Sequence, residues 1–517
     1  MNFGRVLIDK GYIRSSPVDD RLFSAFVEHL GNVIYNGIYN PSHETARQDG
    51  FRQDVISLVK ELQLAYIRYP GGNYICSYNW EDTVGPVECR PKRLELAWQQ
   101  IEPNIVGLSE FEQWVKAVGS QLFMAVNLST RGAVDAANLV EYCNHPQGTY
   151  YSDLRRLHGH EQPYGIKTWC VGNEVDGPWN IGRKKAEVYA WDAAEAAKAM
   201  RRVDETIELV AVGSSGTQLD TYPEWDRIVL MDVYESCDYL SLHRYLGNLE
   251  IDNPNSYDPS DTGDYLELAV RLERNIMDIL AACDYVKGCK RSNKTMYLSV
   301  DEYNVVDVHR LQKTPADETG RRTAKWQTGA TSGAIGLSME ATLLFGLTML
   351  ILMRHSDRIK IACQSILIGE SGLVVCEPDE PAWVNGTYYI FQQCSRYGRG
   401  KVLEQIQSGS RYSTKTCSDV SALDSVCIYH EAQRELDVFV VNKAAEPMDF
   451  SLQTSLFEAL EPIKHIIVAA DSLDARNSAV HPDAIRPQSV NDICIKGTAV
   501  NCQLPGYSWN VIRLKEV

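Results

Sequence analysis

Thr168–Gly182 reads T-W-C-V-G-N-E-V-D-G-P-W-N-I-G, and the fold of the chain turns on how this stretch is placed. An apolar β-run breaks at Gly172 and presents Asn173 and Glu174 where it ends. A carboxylate just past a strand, followed by Gly177-Pro178-Trp179, is how a parallel barrel displays a catalytic acid on its loop face. An ordinary loop cap has the same appearance, so the stretch acquires meaning only from what repeats around it.

Strand and helix signals alternate on both sides of it. Upstream, Leu22–Val27 reads as a strand ending in Glu28-His29, and Leu64–Tyr69 as a second stopped by Pro70-Gly71-Gly72-Asn73. Leu122–Asn127 reads as a third. Between them lie an amphipathic helix over Asp49–Gln63, with Phe51, Val55, Leu58, Val59 and Leu62 at helical spacing, and a helix opened by a Ser109/Glu112 capping box and running to Val118. A helix over Val134–Cys143 follows. Downstream, helices over Lys184–Val203, Trp225–Val233 and Tyr265–Asp284 separate strands at Glu208–Val212, Tyr239–His243 and Met296–Val300, the last ending in Asp301-Glu302-Tyr303-Asn304. An apolar helix ending near Met353 then leads to Ile359–Cys363. Eight strands alternating with helices predict a (β/α)8 TIM barrel over residues 17–380. A doubly wound sheet also alternates, but eight repeats with polar strand ends argue for closure. Pro70–Asn73 lacks the G-x-G-x-x-G spacing of a nucleotide loop.

Past residue 380 the pattern changes. Short β-runs at Ser425–Tyr429, Leu436–Val441, Ile463–Ala469 and Ser508–Leu514, separated by turn residues, predict an antiparallel β-sandwich over 381–517. The run Arg5–Ile8 lies outside the eightfold alternation, and residues 1–16 are expected to join that sheet.

The bulk numbers bound the function. At 517 residues the chain exceeds one core. A net charge of −17 argues against nucleic acid or an anionic membrane surface as partner. The N-terminus has no apolar core of signal-peptide length, and the longest apolar stretch, Ala334–Met353, is interrupted by Glu340 and reads as a buried helix. The 14 cysteines are scattered without a C-x-x-C, which fits reduced thiols in a cytoplasmic protein. Cys170, Cys363 and Cys427 sit in apolar runs as small hydrophobes, and Cys283 with Cys289 makes a poor zinc site.

The strand ends collect Glu28, Arg68, Asn73, Asn127, Asn173, Glu174, His243, Tyr245 and Glu302 on one face. A single histidine is a poor metal set, and no G-x-S-x-G elbow occurs. Two carboxylates across a cleft of amides and aromatics suit glycoside hydrolysis, one donating a proton to the leaving oxygen while the other attacks the anomeric carbon. Strands four and seven lie nearly opposite in an eight-stranded barrel, so Glu174 and Glu302 can face one substrate. Plainer readings stand beside these. Glu302 also suits an ion pair with Arg68, Trp98 and Trp179 suit packing as well as sugar stacking, and Tyr245 suits a core phenol. Glu28 has apolar neighbours, and a buried charge is costly unless it is used.

These residues fall in motifs that resemble the α-L-arabinofuranosidases of glycoside hydrolase family fifty-one. They are F-V-E-H-L-G at Phe26–Gly31, Y-P-G-G-N at Tyr69–Asn73, W-E-D at Trp80–Asp82 and G-N-E-V-D-G-P-W at Gly172–Trp179. S-L-H-R-Y at Ser241–Tyr245, D-E-Y-N at Asp301–Asn304, R-Y-G-R-G at Arg396–Gly400 and P-G-Y-S-W-N-V-I-R-L at Pro505–Leu514 complete the set. The resemblance implies a retaining, exo-acting hydrolase that releases terminal α-L-arabinofuranosyl residues from oligosaccharides. It implies Glu174 as acid/base, Glu302 as nucleophile, Glu28, Asn73 and Asn173 on the sugar hydroxyls, and Tyr245 orienting the nucleophile. Trp98 and Trp179 would wall the pocket; no metal or cofactor is expected, and a homo-oligomer, often a hexamer, is. The chain departs from the family after Ile361–Cys363, where Q-S-I-L-I-G replaces the usual L-A-Q-L-V-N and puts Ile366 at a sugar-binding glutamine and Gly369 at an asparagine. Gln364 lies two residues from the missing glutamine, Tyr303 replaces a usual Trp, and Val175 a common Met. The departures leave room for another furanoside, such as a β-D-galactofuranoside, and a non-catalytic carbohydrate-binding protein is the reading from a different class.

Overall fold

The computed structural model describes residues 2–15, 17–247, 257–307, 326–330, 336–369 and 371–517. Ser24–Phe26, Tyr66–Tyr69, Gln121–Ala125, Thr168–Cys170, Glu208–Ala211, Tyr239–Leu246, Tyr297–Val305 and Ile359–Gln364 form a closed parallel barrel in chain order. The eighth strand pairs back onto the first, Cys363 opposite Ser24. Strands covered on both faces are buried along their length, and Tyr66–Tyr69 and Thr168–Cys170 are buried at every residue, including Arg68. The helices outside bury one stripe each: Val55, Ile56 and Val59 on Gln53–Glu61, and Ala190, Ala193, Ala197 and Met200 on Ala186–Val203.

The second outer helix starts differently from its expected frame. It spans Leu108–Val118, and the Glu110 carboxylate accepts the Gly107 N–H at 2.8 Å. Two x-x-Glu frames overlap here, and packing selects the earlier one. A Cβ on residue 107 would sit 1.9 Å from the Thr83 carbonyl oxygen, so glycine alone fits the cap. Ser109 therefore falls inside the helix and meets the Tyr164 hydroxyl at 2.8 Å, while Glu112 pairs with Lys116 one turn on.

Met339–Arg354 is buried on all sides between the barrel and the C-terminal sheet, opening at Ser338, whose Oγ accepts from the Ala341 N–H. Residues 334 and 335 of the apolar stretch lie outside the described residues. Two helices, Tyr150–Leu157 and Gly386–Tyr397, add to the expected set, the latter beyond residue 380.

The C-terminal strands and Phe3–Ser15 form one ten-stranded sheet that folds on itself. Phe3–Ser15 pairs antiparallel with Lys401–Gly409 and parallel with Met448–Ser455. Val438, Val440, Ile512 and Leu514 meet Val6, Phe450, Leu452 and Val500 in the sandwich core. Their alternates Phe439, Val441, Trp509 and Val511 face the other way and belong to the barrel's core. Alternation in single strands thus welds the two units together.

Candidate active site

The site is built around an irregularity in barrel strand seven, Tyr297–Val305. Against strand six the register passes from Ser299↔Ser241 to Glu302↔His243, and against strand eight from Val300↔Ala362 to Tyr303↔Gln364. Strand seven spends one more residue than its neighbours on each step, which is a β-bulge. In a regular strand residues 301 and 302 point to opposite faces. Here Asp301 and Glu302 both reach Arg68 and His243 inside the barrel. The strand expected to stop at Val300 therefore carries Glu302 within it.

Arg68, from strand two, is wholly buried. Its Nη1 donates to Glu302 Oε1 at 2.8 Å and its Nη2 to Asn173 Oδ1 at 2.8 Å. Its Nε lies 3.5 Å from Cys170 Sγ, and that thiol donates to Asp301 Oδ2 at 3.0 Å. Cys170, expected as a small hydrophobe, is a hydrogen-bonding member of the site's floor. Strand six places His243 and Tyr245 on one face, as a two-residue period requires. The Tyr245 hydroxyl donates to Glu302 Oε2 at 2.7 Å and lies 2.7 Å from Ser365 Oγ. His243 Nδ1 stands 2.9 Å from Glu174 Oε1 and 3.6 Å from Glu302 Oε2, with Nε2 3.3 Å from Asp301 Oδ1. Burial works against charge on His243, but Glu302, Asp301 and Glu174 outweigh it and push the imidazole well above its ordinary range. Burial lifts the Glu302 carboxyl above its ordinary range and the nearby Glu174 adds to the rise, against the opposing pull of His243, Arg68 and the Tyr245 hydroxyl.

Glu174 follows strand four and takes a 2.6 Å hydrogen bond on Oε2 from the Trp179 indole. Glu28 lies beyond strand one, and its Oε1 accepts the Tyr74 N–H at 2.8 Å. Burial pushes the Glu28 carboxyl up to about 8 against the Tyr74 N–H, and Glu302 adds to the rise. The Pro70–Asn73 turn crosses close above strand seven: a Cβ on Gly72 would lie 2.7 Å from Glu302 Oε1.

These groups line a pocket of about 430 Å³ at the strand ends. Glu28, Asn73, Trp98, Glu174, Trp179, Tyr245 and Glu302 all face it, and Asn173 lies against its floor with Nδ2 beside Gly72. Asn73 Oδ1 and Asn173 Nδ2 are buried without a hydrogen-bond partner among the described residues, so each has a bond to offer a ligand. Trp98 and Trp179 are 38% and 47% exposed, too open for core packing. Asn127 does not reach the pocket; its amide ties Tyr78 O and Thr130 Oγ1 together.

Of the two strand-eight departures, Ile366 lines the pocket and Gly369 does not. Gln364 is fully buried and is not among the residues that line the pocket, so it does not stand in for the missing glutamine. Gln218, on the loop after strand five, and Ser365 line the site without having been read from the sequence. Gln218 lies well past the end of strand five at Ala211, beyond the strand-end positions that the sequence singles out. Asp301 was legible only as a neighbour of Glu302, because alternation hides the bulge.

Similarity to known proteins agrees with this geometry. Residues 58–261 match the alpha-L-arabinofuranosidase 1 domain, and residues 301–508 the alpha-L-arabinofuranosidase C-terminal domain. The chain is 43% identical over 516 residues to an intracellular exo-alpha-(1->5)-L-arabinofuranosidase 1 of Bacillus subtilis, covering 100% of both. It is 42% identical to an intracellular exo-alpha-(1->5)-L-arabinofuranosidase of Acetivibrio thermocellus, over 99% of this chain and 100% of that one. The solved structure of a family 51 alpha-L-arabinofuranosidase from Bifidobacterium longum superposes with a TM-score of 0.91 at 33% identity, covering 99% of each chain. Barrel, sheet and ordered motifs together place the chain in the α-L-arabinofuranosidases of glycoside hydrolase family fifty-one, to which it belongs.

Proposed function

We propose that this chain releases terminal, non-reducing α-L-arabinofuranosyl residues by double displacement, with Glu302 as nucleophile and Glu174 as acid/base. One observation carries the mechanism: Glu174, His243 and Glu302 present side-chain atoms that all lie within 4.8 Å of one another. Retaining enzymes hold their carboxyl groups about 5–5.5 Å apart, whereas inverting ones need roughly 6.5–9.5 Å to admit a water. In the first step Glu302 attacks the anomeric carbon while Glu174 protonates the departing oxygen. In the second, Glu174 takes a proton from water, which displaces Glu302 from the sugar. Arg68 and Tyr245 hold the two oxygens of Glu302 through both steps. Asn73 Oδ1, Asn173 Nδ2 and a protonated Glu28 serve the sugar hydroxyls, and Trp98 and Trp179 wall the pocket.

A pit of this volume takes a furanosyl unit and the start of its leaving group, which suits exo action on arabino-oligosaccharides. The relatives named for α-(1→5) linkages support that linkage here, and their names do not favour a galactofuranoside. Those relatives are named intracellular, and no helix among the described residues is long and apolar enough to cross a membrane, so we place the reaction in the cytoplasm. Self-association has support in Phe3, Leu7 and Ile406, apolar and exposed on the outer face of two paired strands, with Leu7 opposite Ile406. Glu302→Gln should lower kcat on an aryl α-L-arabinofuranoside by roughly 1,000-fold or more. Undiminished turnover would overthrow the assignment.

A further inference from the structure

Glu174 has φ +41°, in the left-handed region that a side chain with a Cβ seldom enters. The groups that hold it there converge from one residue. Asn180 Nδ2 donates to the carbonyl oxygens of Asn173 and of Glu174, at 2.7 Å each, so one amide clasps the backbone on both sides of the residue. The Gly177 N–H adds a bond to the Glu174 carbonyl at 2.9 Å, and Asn180 N–H returns to the Gly177 carbonyl at 3.1 Å. Asn180 is itself buried and seated from behind: the Cys76 thiol donates to its Oδ1 at 2.7 Å, and Ser129 Oγ approaches Cys76 Sγ at 3.6 Å. Both N–H groups and the carbonyl of the amide are thereby committed, which fixes its orientation.

We propose that Asn180, seated by Cys76, is a positioning residue for the Glu174 carboxyl, fixing the direction in which that side chain meets the leaving oxygen. The proposal rests on the acid/base reading of Glu174. Its reach beyond local structure comes from Cys76, which lies in the turn Asn73–Ser77. That turn begins with Asn73, which lines the pocket and whose buried Oδ1 has no partner among the described residues. The Cys76–Asn180 bond therefore sets the acid/base loop against the turn that holds the sugar. In the glycosylation step the proton leaves Glu174 for the glycosidic oxygen as the carbon–oxygen bond breaks and the bond to Glu302 forms. A displacement of about 1 Å at such a group can cost on the order of 100-fold in rate.

Asn180→Asp keeps the shape of the side chain and removes its two N–H donors. The readout is kcat/KM on two arabinofuranosides, one with a 2,4-dinitrophenolate leaving group that departs without a proton and one with an unactivated sugar alcohol. The variant should lose on the order of 100-fold on the unactivated substrate and less than about 3-fold on the activated one, since only the former needs a placed acid. Added azide, which attacks without a base, should restore kcat of the variant on the dinitrophenyl substrate. Equal losses on both substrates, or no loss on either, overturn the proposal. Glu174→Ala is measured alongside and should show the same selectivity more strongly; equal losses there bring down the acid/base reading itself, and the proposal with it. If Asn180→Asp does not fold, Cys76→Ala unseats the amide while leaving it present. A folded Cys76→Ala should show the same selectivity at about 3- to 10-fold, and its absence overturns the proposal.

Discussion

Glu28→Gln separates the proton on Glu28 from the shape of its side chain. The carboxyl is buried at the pocket wall, takes the Tyr74 N–H on Oε1 at 2.8 Å, and shares its surroundings with Glu302. Burial lifts it from 4.5 to about 8, so at neutral pH it stands as a neutral acid. The sign of the linkage follows directly. An acid whose folded pKa is raised keeps a proton that the unfolded chain gives up, so folding takes up a proton across that interval. The associated stability is fully present below about pH 4.5 and is lost as pH rises to about 8. At about 1.4 kcal/mol per pH unit, keeping Glu28 protonated costs on the order of 3 kcal/mol at pH 7. Glutamine is neutral at every pH, and its carbonyl can keep the Tyr74 N–H. Denaturant unfolding of the two proteins from about pH 5 to about pH 8 should show the variant gaining on the wild type as pH rises, approaching 3 kcal/mol near neutrality. Catalysis should follow the same logic, with Glu28→Gln close to wild type in KM and Glu28→Ala weaker by about 5- to 150-fold for the lost bond. A stability difference that is flat with pH, or that shrinks as pH rises, would refute the reasoning.

Two further outcomes are open to direct measurement. Ile366→Gln places an amide where this pocket has only an aliphatic wall, and one new bond to a sugar hydroxyl should lower KM for an aryl arabinofuranoside about 5-fold; an unchanged or higher KM means that Ile366 packs against the sugar ring instead. Ile406→Glu puts a charge in the exposed apolar face beside Leu7, and sedimentation should show a smaller species with the melting temperature unaltered; an assembly of unchanged mass removes that face from the interface.

The barrel was legible because each strand is a short apolar run closed by glycine, proline or a polar residue, and each helix carries its stripe. Glu174 stood out for the same reason, since Gly172 ends the run just before it. What the residues alone did not give is register. A bulge at 300–302 has no propensity signature, so the apolar run marks strand seven only as far as Val300 and carries no sign that Asp301 and Glu302 turn the same way. The sheet shows the same limit in another form. Its more apolar strands are readable, but Lys401–Gly409 and Met448–Ser455 alternate with polar residues and look like loop until a partner strand covers one face. Cysteine chemistry was invisible for a third reason. An apolar neighbourhood in sequence says nothing of Arg68 and Asp301, which meet Cys170 only across the barrel.

The folded barrel also arranges charge in a way that the proposed mechanism uses. Arg68 and an imidazolium at His243 each face both Asp301 and Glu302, while Glu28 holds its proton. When Glu302 bonds to the sugar it gives up its negative charge, and when Glu174 releases its proton it acquires one. Negative charge thus passes from one carboxyl to the other, and both lie beside the same nitrogen, His243 Nδ1, at 3.6 Å and 2.9 Å. A cation that faces both carboxyls need not move as the charge is handed across. The surrounding dipoles then require little reorganisation in the transition state, which is the form of electrostatic help that a buried site supplies best. Strand six is where this depends on sequence: the two-residue period that points His243 inward also delivers the Tyr245 hydroxyl to Glu302. Asp301 completes the arrangement from beneath by holding His243 Nε2, a role it can fill only because the bulge turns it inward beside Glu302.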